Sequence, residues 1–236
     1  MDEEIERMIA SSKKTKMPII LLYLKKSIRS PRRALARLIL GKKIWEESVF
    51  NHHCASFKHA KTPTEILMTK RLGQTHEHYA TFKILNSILK LNKIVEIGTH
   101  VGDSTIPLLE SVKLTGGFVT TIDTLPCNLA KERIRKLGYD EHCKFIQSDS
   151  LKVDWTEPID HLFIDGLHTY DQVYKELKKF EPFIIEGGII TLHDTYYDRV
   201  RNAILDYIKN REDLKYFEYY NCYGLGVIYK KSLQSN

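Results

Sequence analysis

The feature that most restricts the fold of this chain is the rhythm of residues 93–193. Five short apolar runs, Lys93 to Ile97, Phe118 to Asp123, Lys144 to Gln147, His161 to Asp165 and Gly188 to His193, alternate with amphipathic segments that begin near Ser104, Asn128 and Thr169, then Tyr197. Short runs rich in Ile, Val and Phe suit strands, and the segments between them suit helices. Such alternation calls for an open parallel sheet with right-handed crossovers, covered by helices on both faces. Upstream, Tyr79, Phe82, Leu85 and Leu89 form a stripe at helical spacing that can pack on the sheet. The end of the chain breaks the rhythm: Tyr216 to Tyr220 and Leu225 to Tyr229 are aromatic and β-branched runs around Asn221-Cys222-Tyr223-Gly224, which read as an antiparallel pair.

The chemistry gathers where the runs end. Val95-Glu96-Ile97-Gly98-Thr99-His100-Val101-Gly102-Asp103-Ser104 is a strand, a loop with two glycines and a helix start. Without a Cβ, Gly98 and Gly102 would let a ligand lie against the main chain, and the helix start favours a carboxylate or other anion. Ser104 is placed to cap that helix. The spacing is not the GxGxxG of a dinucleotide site. Asp123 closes the second run, where an acid can take both hydroxyls of a ribose, and Ser148-Asp149 follows the third. Ligands of open parallel sheets sit outside the carboxyl ends of the strands, so these residues point to one cleft.

The fourth and fifth runs lead into Asp165-Gly166-Leu167-His168-Thr169-Tyr170 and His193-Asp194-Thr195. Two carboxylates and an imidazole suit a divalent cation, with Asp165 and Asp194 as hard ligands and His193 or water completing the shell. A cation there would hold an acceptor with neighbouring hydroxyls and lower the pKa of one. His168 is the candidate general base. The same residues also have plain structural uses: His168 precedes the capping pair Thr169 and Gln172, and Asp194 can cap the next helix.

As a set, Glu96 to Thr105, the strand ending at Asp123, the IDGxHxY pattern of Ile164 to Tyr170 and the GGxxxxHD pattern of Gly187 to Asp194 resemble the class I methyltransferases. More narrowly they resemble the branch with macrolide and aminocoumarin sugar O-methyltransferases and cephalosporin-biosynthesis relatives. Leu167 stands where that family often has a second acid, and His193 where some relatives have a carboxylate. The resemblance spans roughly residues 75–230 and implies a seven-stranded sheet of order 3-2-1-4-5-7-6 with strand 7 antiparallel. It implies S-adenosylmethionine as cofactor, held by Glu96, Gly98, Thr99, Gly102, Ser104, Asp123, Ser148, Asp149 and Asp165. It also implies magnesium on Asp165 and Asp194, and methyl transfer to a hydroxyl of a sugar or other polyhydroxylated small molecule, with Asp165 and His168 as catalytic residues. Its rivals are a non-catalytic interaction protein that keeps the fold and a nicotinamide-dependent oxidoreductase.

Charge divides the chain at about residue 60, into an arm (1–60) and a catalytic domain (61–236). No acid occurs between Arg7 and Trp45, whereas eleven Lys and Arg lie from Lys13 to Lys43; the net charge of +6 therefore belongs to the arm, and the remainder is net acidic. Met17 to Leu24 is too short to span a bilayer. From Ile19 to Lys43 apolar and basic residues mix around Pro31, as in helices that lie on an anionic membrane. Packing on the domain or on a second subunit in a homo-oligomer stays open beside that reading. Nucleic acid is disfavoured, since no RGG-type run, zinc finger or aromatic stacking pattern accompanies the arm. His52, His53, Cys54 and His59 match no established zinc spacing. Four dispersed cysteines without a CxxC pair fit a reducing, cytoplasmic location, peripheral to the membrane where the arm engages it.

Overall fold

The computed structural model describes residues 61–70 and 75–232. The basic stretch 13–43, the His52 to His59 cluster and the boundary near residue 60 lie outside the described residues. The elements are α1 (Pro63–Lys70), α2 (Tyr79–Leu89), β1 (Lys93–Ile97), α3 (Thr105–Val112), β2 (Phe118–Asp123), α4 (Asn128–Lys136), β3 (Cys143–Gln147), β4 (Ile159–Ile164), α5 (Tyr170–Phe180), β5 (Ile184–His193), α6 (Asp198–Ile208), β6 (Leu214–Tyr219) and β7 (Leu225–Lys230). No helix among them is long and apolar enough to cross a membrane.

The seven strands form one sheet in the order β3-β2-β1-β4-β5-β7-β6. β1 to β5 pair in parallel, and β7 runs antiparallel to both neighbours, as the terminal aromatic runs indicate. The first two strands match their expected bounds, while β5 begins at Ile184 and not at Gly188. The glycine pair sits inside it: Ile159 pairs with Ile184 and His161 with Ile189, so β5 carries extra residues in a bulge where Gly187 takes φ +79°.

Alternation along the strands splits the sheet into two unlike faces. Val95, Ile97, Leu162, Ile164, Ile190 and Leu192 join Val173, Leu177 and Phe180 of α5 and Val200, Ala203 and Ile204 of α6 in an apolar core. The opposite face is more polar. There Phe82 of α2 packs against Phe163 with ring centroids 4.8 Å apart, and buried His161 bridges Asn86 Oδ1 (2.8 Å) and Thr191 Oγ1 (2.7 Å). The stripe expected on α2 is therefore corrected: Tyr79 and Phe82 are fully buried, Asn86 takes the next inward place, and Leu89 is exposed in the last turn. Asn86 is accommodated because it also donates to Ser111 Oγ at 2.8 Å.

Candidate active site

β1 and β4 are neighbours at the centre of the sheet, where strand order reverses, and a cleft of about 860 Å³ opens beyond their carboxyl ends. Gly98 opens its floor. Its N–H donates to Ile122 O (2.9 Å), Asp165 N–H donates to Ile97 O (2.8 Å), and its φ is +100°. A Cβ at Gly98 would lie 2.3 Å from the Asp165 carbonyl oxygen. The glycine thus permits the end of β4 to approach the loop, in addition to lining the cleft. Gly102 does not line it. Its φ of +81° and a would-be Cβ 3.0 Å from Ala130 Cβ assign it to close packing against α4.

Asp123 clamps the loop. Oδ2 accepts from the N–H groups of Thr99 (3.0 Å) and His100 (2.9 Å), and Oδ1 from Leu125 (2.9 Å). Partial burial opposes its charge, but the His100 and Leu125 N–H groups hold the carboxyl below its ordinary value. It lines the cleft as an anion. Ser148 and Asp149 form the adjoining wall; Ser148 N–H donates to Asp123 O (2.9 Å), and Asp149 Oδ1 caps a short turn through Leu151 N–H (3.0 Å).

Glu96 departs from its expected place, whereas Ser104 lines the cleft as expected but not as a helix cap. Glu96 is fully buried and does not line the cleft. Its Oε1 accepts from Ser104 Oγ (2.6 Å), and Oε2 from Thr105 Oγ1 (2.6 Å) and Thr121 Oγ1 (2.7 Å). Thr121 has one hydrogen and gives it to Glu96, so Thr99 Oγ1 donates in turn to Thr121 Oγ1 at 2.5 Å. Ser104 makes no side-chain cap, because its hydroxyl turns inward to Glu96. Burial pushes the Glu96 carboxyl up to about 7 against the pull of these hydroxyls. Glu96 braces the loop from beneath, with Ser104 as its partner.

At the other end of the cleft Asp165, His168 and Asp194 come together, with one ligand atom from each lying within 4.8 Å of the others. His168 Nε2 is 3.2 Å from Asp194 Oδ2 and 3.9 Å from Asp165 Oδ1. His193 holds a different place. Its ring is buried, Nδ1 faces Asp165 Oδ1 at 3.3 Å, and Nε2 donates to the Cys222 carbonyl at 2.9 Å. Burial opposes its charge, but Asp165 and Asp194 keep it well above the ordinary histidine value. His193 thus lies buried beneath the two carboxylates, with Nδ1 3.3 Å from Asp165 Oδ1 and 3.6 Å from Asp194 Oδ1, and His168 is the imidazole on their cleft side. Two hard carboxylates with an imidazole at an open cleft fit a divalent cation.

Sequence reasoning missed Gln172 and Glu176, which line the cleft from α5. Glu176 is 1% exposed, with Oε1 accepting from Ser150 Oγ (2.5 Å) and Gln172 Nε2 (2.8 Å). The signal was present: Glu176 falls on the buried arc of α5 with Val173, Leu177 and Phe180. Among the described residues, the carboxylates of Asp103, Asp123, Asp149, Asp165 and Glu176 line the cleft, and no lysine or arginine does. Such a lining favours a cationic ligand and disfavours a pyrophosphate.

Residues 95–195 match the model of a family described as a methyltransferase domain. Among solved structures, the chain is similar to a protein from Staphylococcus aureus described as a caffeoyl-CoA O-methyltransferase, with TM-score 0.62, 17% identity, and 78% of this chain and 98% of that one covered. It is also similar to the O-methyltransferase TomG from Streptomyces achromogenes, solved with SAM (0.57, 14%, 73% and 91%), and to the SAH-bound methyltransferase PaMTH1 from Podospora anserina (0.57, 15%, 78% and 88%). At these identities the solved structures establish a shared fold.

Proposed function

We infer, on the premise that this chain is an S-adenosylmethionine-dependent methyltransferase, that its acceptor is a hydroxyl of a sugar or other polyhydroxylated small molecule. The observation that carries the reading is a carboxylate-lined cleft with Asp165, His168 and Asp194 at one end. When bound, the cofactor supplies an electrophilic methyl on a positively charged sulfur. The carboxylates complement that charge, Asp123 receives the ribose hydroxyls, and Ser148 with Asp149 borders the adenine. TomG and PaMTH1, which share the fold, were solved with SAM and SAH.

An acceptor hydroxyl beside His168 loses its proton to the Nδ1 atom, while Nε2–H donates to Asp194 Oδ2 at 3.2 Å and orients the ring. His193, buried with Nδ1 3.3 Å from Asp165 and 3.6 Å from Asp194, offers a positive partner to the two carboxylates. A magnesium ion would be held by Asp165 and Asp194 and would acidify the acceptor hydroxyl. Vicinal hydroxyls fit this arrangement because one can be held while its neighbour is deprotonated. The basic residues 13–43 would hold the enzyme on an anionic membrane, where a lipid-linked glycan is presented.

The test is calorimetric titration with S-adenosylmethionine, S-adenosylhomocysteine and NAD, with and without magnesium, followed by methyl transfer to a panel of sugars. Micromolar binding of the first two with NAD silent is expected. Silence of both removes the cofactor assignment, and turnover unchanged by chelation removes the magnesium. Equal binding of the full chain to neutral and anionic vesicles removes the membrane role of the arm.

A further inference from the structure

We propose that His76, Glu77 and Cys222 form a second metal site, for a borderline-soft divalent cation of the zinc kind, separate from the carboxylates of Asp165 and Asp194. One ligand atom from each of the three residues lies within 4.8 Å of the other two. His76 Nδ1 and Cys222 Sγ are 3.9 Å apart across 146 residues of sequence. In a tetrahedral zinc site, bond lengths of about 2.3 Å to sulfur and 2.0–2.1 Å to nitrogen put these atoms about 3.6 Å apart. The pair needs to close by only a few tenths of an ångström. A thiolate, an imidazole and a carboxylate select zinc or its transition-metal neighbours over magnesium, which takes oxygen ligands.

The surrounding structure holds the two segments in register. Asn221 Nδ2 donates to Glu77 Oε2 at 3.0 Å, and His78 Nε2 donates to the Asn221 carbonyl at 3.0 Å. Water can fill the fourth position. The ion would fasten the turn ahead of α2, whose Thr75 lines the cleft, to the turn between β6 and β7, whose Cys222 carbonyl receives His193. It would act as a tie behind the wall of the active site, apart from the transfer chemistry.

The test uses the full chain, stripped with a chelator and titrated with Co2+ as a spectroscopic probe. One equivalent should produce a near-ultraviolet thiolate-to-cobalt charge-transfer band that Zn2+ abolishes by competition. Cys222→Ser should lose the band, His76→Gln should weaken Co2+ binding at least tenfold, and Asp194→Asn should keep the band. Absence of the band from the parent protein overturns the site whatever the variants do. So does its survival in Cys222→Ser or its loss in Asp194→Asn. Calorimetry with S-adenosylmethionine on the same samples checks that the variants are folded and reports on the cofactor independently of the metal.

Discussion

Replacing Glu96 by glutamine tests the brace beneath the cofactor loop through the pH dependence of stability. An unfolded glutamate ionises near its ordinary 4.5, whereas burial raises the folded group to about 7. Between those values the native state holds a proton that the unfolded chain has released, so stability falls as pH rises. At ~1.4 kcal/mol for each tenfold change in proton affinity, the gap amounts to about 3 kcal/mol, fully present below 4.5 and fully lost above the folded value. The introduced amide cannot ionise, while its oxygen can still accept from Thr105 and Thr121 and its nitrogen can donate to Ser104. Urea unfolding of parent and Glu96→Gln at intervals from about pH 4 to 8 should show the variant gaining relative stability by about 3 kcal/mol across the window. Every other titrating group is common to both proteins and cancels in the difference. A difference that stays constant with pH would refute the raised carboxyl, and one of opposite sign would mean that the hydroxyls outweigh burial.

Gly98→Ala should cost roughly 3 kcal/mol in urea unfolding, from a left-handed φ and a Cβ driven into the Asp165 carbonyl. Parent-like stability would show that β4 does not approach the loop as described. Asp194→Asn keeps a side chain that tolerates its φ of +62° but removes the charge that orients His168. Turnover should fall on the order of a hundredfold or more, with cofactor affinity changed less than about threefold; unchanged turnover would remove the dyad. Buried His161 has its value lowered by burial from 6.5 to about 3, so it weakens the fold as pH falls below 6.5. His161→Asn should make the acid limb of the stability curve shallower by about one proton between roughly pH 3.5 and 5.5; an unaltered slope would show that His161 is charged in the native state.

The architecture was legible because strand and helix periods differ and the apolar runs end in chemistry-bearing residues. Bounds failed where local chemistry overrode pattern. Gly187 and Gly188 look like the turn before a strand, yet they make a bulge inside β5, and nothing in the run of residues distinguishes the two. Glu96 looked like a cleft residue because its spacing to Gly98 fits the motif. Strand alternation already turns it toward the α3 side, where the hydroxyls of Ser104, Thr105 and Thr121 converge. His76 and Cys222 could not be paired by reading, since only the return of β7 along β5 brings residues so distant together.

Adjacent residues at the end of β5 take opposite roles, and backbone handedness explains it. His193 is the last strand residue and points beneath the sheet end, to Cys222 and the underside of Asp165. Strand alternation would send the next side chain to the far face. Asp194 instead turns left-handed, and its carboxylate reaches His168. The turn that follows is fixed by Tyr196 N–H donating to Tyr223 O at 2.9 Å, and by Gly224, where a Cβ would come too close to Thr195 Oγ1 at 2.4 Å. The loop between β6 and β7 therefore sets the direction of a residue that lies far earlier in the chain. A bulky residue at Gly224 should displace Asp194 from His168 without touching the cofactor cradle. The result would be lower turnover at unchanged cofactor affinity, and loss of both would place Gly224 in the folding core instead.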